Sequence, residues 1–241
     1  MNKNSARIPR PAPRLVSLSS SELKPASVPP PLPLRRVSGR MTVAVRRAKD
    51  DDVVEKLCEA LASLDAEPDA LSAARLCLDV LARAVPCRAL LAHAFDVARG
   101  DFLVVHARGE HADAMVLERH PLGDPLLWVA MPTGEPFAWP DLRRAPVNKL
   151  ARFKELPHVK TIMACPVVSG PRWLGAIELV DPLDGTLFRT EHALGARYVA
   201  NRYARFLTAH GLIVDVGAVA RFANSYFASS NVDGGRRLAT G

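Results

Sequence analysis

Two histidines are the first residues able to do chemistry. His93 and His106 sit in two apolar runs joined by Val97-Ala98-Arg99-Gly100, a hairpin signal. Pairing Asp96 with Asp101 sets Phe95 opposite Phe102, His93 opposite Val104 and Leu91 opposite His106. The imidazoles then become diagonal neighbours on one sheet face, where they could grip a metal ion or an anionic ligand. The plainer reading is a half-buried face whose histidines are hydrogen-bonded. A second group is aromatic: Trp128, Phe137, Trp139 and Phe153 crowd one irregular stretch and could stack on a planar ligand or fill a core. The third group is the thiols Cys58, Cys77, Cys87 and Cys165. Their spacing contains no CxxC, so no zinc site is expected, and free thiols fit a reducing cytoplasm. No Ser-His-Asp set, Walker loop or Gly-rich dinucleotide turn is present, so no catalytic residue is assigned.

These residues need elements to position them. Val53, Leu57, Leu61 and Leu64 form one helical stripe, and Leu71, Ala74, Leu78, Leu81 and Val85 a second. Asp50–Asp52 suit the start of the first helix, Pro68-Asp69 the start of the second, and Pro86 its end. Strands are expected at 88–96 and 101–108. A short helix follows over 124–131, capped by Asp124 with Pro125 in its first turn. Thr133-Gly134-Glu135-Pro136 reads as a turn, Phe137-Ala138-Trp139 as a brief strand, and 147–156 as a short helix or ordered loop. Thr161–Val168 and Trp173–Val180 form a second hairpin about the four-residue loop Ser169-Gly170-Pro171-Arg172. A long helix over 190–209 takes Thr190 as N-cap, buries Leu194, Tyr198, Val199, Tyr203, Phe206 and Leu207, and ends at Gly211. Sequential hairpins between terminal helices mean α+β with an antiparallel sheet, and they exclude a doubly wound parallel sheet.

Length and charge bound the rest. The 241 residues carry +7 overall, with 49% apolar and 24% charged residues, which fits one globular domain with extensions. Residues 1–40 hold eight basic residues and one acid, and residues 41–241 hold 24 of each, so the whole excess lies in the first 40. That segment holds eight of the 20 prolines, including Pro29-Pro30-Pro31-Leu32-Pro33, and no aromatic residue. It is expected to be a disordered tail, 1–45, in which nucleic acid, an anionic surface or a proline-binding partner would have to bind. Translation from Met41 would remove it. The expected divisions after the tail are a folded domain at 46–211, an added helix at 212–228 and a flexible end at 229–241. No apolar run is long enough to span a membrane.

The block from Ile162 to Asp181, followed by Phe188, Thr190 and the long helix, resembles the C-terminal half of a GAF domain. Upstream, Pro121-Leu122-Gly123-Asp124, Val129-Ala130, Thr133–Pro136 and Asp141 are similar to that family's middle segment. The likeness runs from about 68 to 209. It implies a central antiparallel sheet of five or six strands, terminal helices on one face and a small-molecule pocket on the other. It also implies a regulatory or sensory role, often as a dimer. Asn148-Lys149 with Phe153 partly matches the signature of members that bind cyclic nucleotides, but the Asp-Glu part is missing, so no cofactor is assigned. Some members reduce free methionine sulfoxide with paired loop cysteines, whereas residues 98–160 contain none. Tetrapyrrole attachment would need an exposed cysteine beside the pocket, for which Cys165 is the nearest choice.

The expected function is a cytoplasmic, non-catalytic signalling module that binds a small molecule, a partner protein or both. Its ligand residues would come from His93, Phe95, His106, Trp128, Phe137, Trp139, Asn148, Phe153 and Cys165. It would dimerise or meet a signalling partner through helices 49–64, 190–209 and 212–227. The alternatives are an adaptor whose pocket is filled and which binds through its tail and helices, and a redox enzyme of the methionine sulfoxide reductase type.

Overall fold

The computed structural model describes residues 54–142, 150–156, 158–211 and 216–237. The tail 1–40, the acidic run Asp50–Asp52 and the pair Asn148-Lys149 lie outside the described residues.

Helix α1 covers 54–60 and runs into a 3-10 turn at Leu64–Ala66. Leu57, Leu61 and Leu64 of the expected stripe are fully buried. Helix α2, Ala70–Ala84, begins where Asp69 accepts hydrogen bonds from Leu71 N at 2.9 Å and Ser72 N at 2.8 Å. Strands β1 (Cys87–Asp96) and β2 (Asp101–Gly109) form the first hairpin, with Gly100 at φ 68° in its turn. A four-residue helix α3 (Ala112–Met115) and strand β3 (Arg119–Pro121) follow. Helix α4 (Pro125–Ala130), strand β4 (Phe137–Trp139) and a 3-10 turn at Ala151–Phe153 make up the middle segment.

Strands β5 (Ile162–Ser169) and β6 (Arg172–Pro182) form the second hairpin. Ser169 pairs with Arg172, so the turn is only Gly170-Pro171, two residues shorter than the expected loop. The six strands lie in the order β3-β2-β1-β6-β5-β4, each antiparallel to its neighbour. The fold is therefore α+β on one antiparallel sheet, as the hairpin pattern predicts. At the centre β1 and β6 lie very close, because a Cβ on Gly175 would meet the carbonyl oxygen of His93 at 1.9 Å.

Helix α5, Thr190–His210, lies against β5 and α2. Its N-cap is Arg189, one residue before the expected Thr190, with the Arg189 backbone N–H donating to His192 Nδ1 at 3.3 Å. Leu194, expected in its core face, is 37% exposed, and Ala196 and Ala200 join the expected Val199, Tyr203, Phe206 and Leu207 in the buried face. At 3.6 residues per turn Leu194 falls on the opposite side of the helix from Ala196 and Tyr203, so it points outward. Tyr203 Oη donates to the Ala70 carbonyl at 3.0 Å and ties α5 to α2. Helix α6 runs Val216–Arg237, past the expected end at 228 and into the stretch read as a flexible end.

Candidate functional site

The sheet face away from α2 and α5 carries a charge network. Glu178 stands mid-β6, and its strand neighbours across the ladders are Leu91 and Ala164. His93 lies on β1 opposite Ala176, so both strands aim a polar group at one place. Arg152 reaches it from the 3-10 turn of the middle segment, and Asp124 from the N-cap of α4.

The Arg152 guanidinium is fully buried and grips both carboxylates. It donates Nε to Glu178 Oε2 at 2.7 Å and Nη2 to Glu178 Oε1 at 2.6 Å. It donates Nη1 to Asp124 Oδ2 at 2.7 Å and Nη2 to Asp124 Oδ1 at 3.1 Å. The planar fork of arginine suits such double two-point contacts. Asp124 Oδ1 also accepts Leu126 N at 3.0 Å and Leu127 N at 3.2 Å, so one carboxylate caps α4 and holds Arg152. His93 Nε2 lies 2.8 Å from Glu178 Oε2. Burial alone would push the Glu178 carboxyl up, but Arg152, the adjoining His93 and their hydrogen bonds hold it well below the usual carboxylate range. Burial likewise opposes the charge on Arg152, and Glu178 and Asp124 outweigh it.

His120 of β3 completes this wall, its ring 5.4 Å from that of His93 in an edge-on contact. Burial, and then the charge of Arg152, push its pKa down to about 2, so it is neutral. His93 Nδ1 and His120 Nε2 are both buried without a hydrogen-bond partner among the described residues. Few buried polar atoms are left so.

Beside the charges lies an apolar half. Phe102, Leu127, Ala130, Met131, Ala164 and Ala176 are buried together, and Phe95, Leu122, Phe137 and Trp173 cover them in part. Phe95 meets Phe102 at 5.2 Å, and Trp128 meets Trp173 edge-on at 5.7 Å. Of the residues expected to line a site, His93, Phe95, Phe137 and Trp128 therefore gather here. Phe153 lies 4.7 Å below the Arg152 guanidinium and is itself buried. Trp139 sits against Phe137 at 5.2 Å but packs on the main core, with its Nε1 unpartnered among the described residues. Asn148 is outside the described residues.

Two expectations are corrected. His106 does not share a face with His93. The register shifts between Ala92 and His93, so His93 pairs with Val104 but Ala92 with His106. β2 has one extra residue there, Val105, and one extra residue reverses side-chain alternation beyond it. His106 consequently faces the helices, with its ring 5.8 Å from Phe222 of α6. Burial lowers its pKa to about 4. Cys165 is also on the helix face, since Ala164 before it faces the site. It is 1% exposed, and burial raises its thiol to about 12, with Arg197 of α5 as its opposing charge.

Arg152, Glu178, Asp124 and His120 escape the sequence reading as a site. Glu178 does leave a signal, a lone carboxylate between Ile177 and Leu179 in an apolar strand. Asp124 is legible only as a cap. Nothing near Arg152 in sequence marks it, because its partners lie 28 and 26 residues away.

No family model matches the sequence, and no curated protein matches it. Solved structures do. The GAF domain of a phosphoenolpyruvate-protein phosphotransferase from Coxiella burnetii superposes with a TM-score of 0.59 at 18% identity, over 66% of this chain and 95% of that one. The corresponding Acinetobacter domain gives 0.55 at 12% identity, over 69% and 98%. A free methionine-R-sulfoxide reductase from Neisseria meningitidis, in complex with its substrate, gives 0.55 at 17% identity, over 67% and 91%.

Proposed function

From the GAF-like fold that those structures share with this chain, we propose a non-catalytic regulatory module that takes a small molecule beside His93 and His120. The observation that carries this reading is the pair of unpartnered nitrogens, His93 Nδ1 and His120 Nε2, in adjoining buried rings. Buried polar atoms nearly always find partners, so two in one wall mark where ligand atoms belong. Glu178 makes that wall part of β6, the strand that leads into α5. A ligand that favours one arrangement of the wall therefore biases the packing of α5. A homodimer partner or a signalling protein would read that change on α1, α5 and α6, in the cytoplasm.

The thiols support a role without catalysis. Cys77, Cys87 and Cys165 are buried with pKa values raised to about 12, so none is a ready thiolate for a reductase cycle. Among the described residues, no helix is long and apolar enough to cross a membrane. The second reading is an adaptor with a filled site, working through its helices and the basic tail. It draws support from Arg152, whose fork is already taken by Asp124 and Glu178.

Thermal shift against a panel of metabolites and nucleotides separates the two. A stabilising compound that also slows hydrogen exchange in α5 is the expected result. A blank panel together with a pull-down that needs residues 1–40 would favour the adaptor, and a bound ligand that leaves exchange in α5 unchanged would remove the coupling.

A further inference from the structure

The wall beside the two imidazoles is poor ground for an anion. Among the described residues Arg152 is the cation in this wall, and it is balanced twice, by Asp124 and Glu178. Its two carboxylates outnumber that one guanidinium. Arg119, next to His120 in sequence, is likewise taken by Asp96 at 3.1 Å and by Asp101 at 2.5 Å. Among the described residues, a phosphate placed here would meet two carboxylates and no uncommitted guanidinium to offset its desolvation.

The same wall offers hydrogen bonds. Glu178 is held ionised and can only accept, so the hydrogen between it and His93 lies on Nε2. Nδ1, buried and unpartnered among the described residues, is the ring's remaining point for a ligand's hydrogen-bonding group. His120 Nε2, 3% exposed at the residue level, is a second point in that wall, donor or acceptor by tautomer. Aromatic surface adjoins both. His120 is the register partner of Phe102, and Phe95, half-buried, follows His93 on the same face of β1.

Resting on the ligand reading above, we infer that this site selects an uncharged planar heterocycle of the nucleobase type. One polar group on its edge would meet His93 Nδ1, a second would meet His120 Nε2, and its ring would lie against Phe95. The site would discriminate against the same base carrying phosphate.

The test is equilibrium binding to the full chain by calorimetry. Adenine, guanine, cytosine and uracil with their nucleosides are set against cyclic AMP and cyclic GMP, with a general metabolite panel alongside. The expected result is a base or nucleoside bound at least tenfold more tightly than its cyclic nucleotide. His120→Phe, which keeps the ring and removes the nitrogen, should weaken that binding at least tenfold, with circular dichroism unchanged. If His120→Phe fails to fold, the base-against-phosphate ratio on the natural chain still decides. Equal or tighter binding of a cyclic nucleotide overturns the inference and leaves the ligand reading standing. The same holds if only a metabolite unlike a base binds. If nothing binds, both fall.

Discussion

On the side of the sheet under α2 and α5, Ile177, Leu179 and Cys165 join Leu78, Tyr203 and Phe206 in one apolar core. One residue along the same strand, on the other side, Glu178 meets Arg152, Asp124 and His93. Both sides are equally dry, yet the first is held by buried area and the second by paired charge. Apolar contacts degrade by degrees when trimmed, because neighbours relax into the gap. A buried ion network fails abruptly when a member is lost, because the remaining charges keep their desolvation cost and lose their partner. The two sides should therefore differ in how much a single change costs and in how that cost varies with pH.

Arg152→Met should have the largest effect, about 3–5 kcal/mol in urea unfolding, since two carboxylates stay buried without their cation. Its pH dependence gives the mechanism. In the natural protein Glu178 is held below its ordinary 4.5, so its contribution is full above that pH and is lost as pH falls below it. In Arg152→Met only the His93 contact still opposes burial, so the Glu178 carboxyl rises and the variant should regain stability on acidification toward pH 4. A loss that stays constant with pH would mean that the charges do not hold this side.

Leu78→Ala on the helix side should cost about 2–5 kcal/mol and show no new pH dependence between 5 and 8. A comparable loss with a pH slope would erase the contrast between the two sides.

Each side also carries one buried neutral histidine, and these should separate in acid. His106 and His120 have folded pKa values of about 4 and about 2, below the ordinary 6.5. The unfolded chain therefore takes up protons first, and each group withdraws stability as pH falls below 6.5, by up to about 1.4 kcal/mol per pH unit. The loss from His106 ends near pH 4, and that from His120 continues below it. His106→Leu should flatten urea midpoints between pH 6.5 and 4 only, and His120→Phe should flatten them from 6.5 to below 4. Identical profiles for the two variants would show that the environments are not distinct.

Much of this architecture is legible in the chain. Asp69 and Asp124 announce the starts of their helices, and the turns after Asp96 and Ser169 announce hairpins, because caps and turns depend on a few adjacent residues. The site is less so. His93, Phe95, Trp128 and Phe137 are singled out by type and alternation, and the structure gathers them near Glu178 and Phe102. His106 is misplaced because alternation is reliable only while register holds, and a single extra residue, Val105, breaks it. Cys165 depends on which side α5 covers, which strand periodicity does not state.

The sequence by itself determined the element types, the two hairpins and hence the antiparallel sheet, since each follows from spacing and turn chemistry within about 20 residues. It also determined that the charge excess belongs to residues 1–40 and that 41–241 is balanced. Only the tertiary structure decided that the two histidines part company, and that Arg152 travels to meet Asp124 and Glu178. Those outcomes depend on one bulge and on contacts made across the fold. Their energies come from burial, which no local pattern of residues encodes.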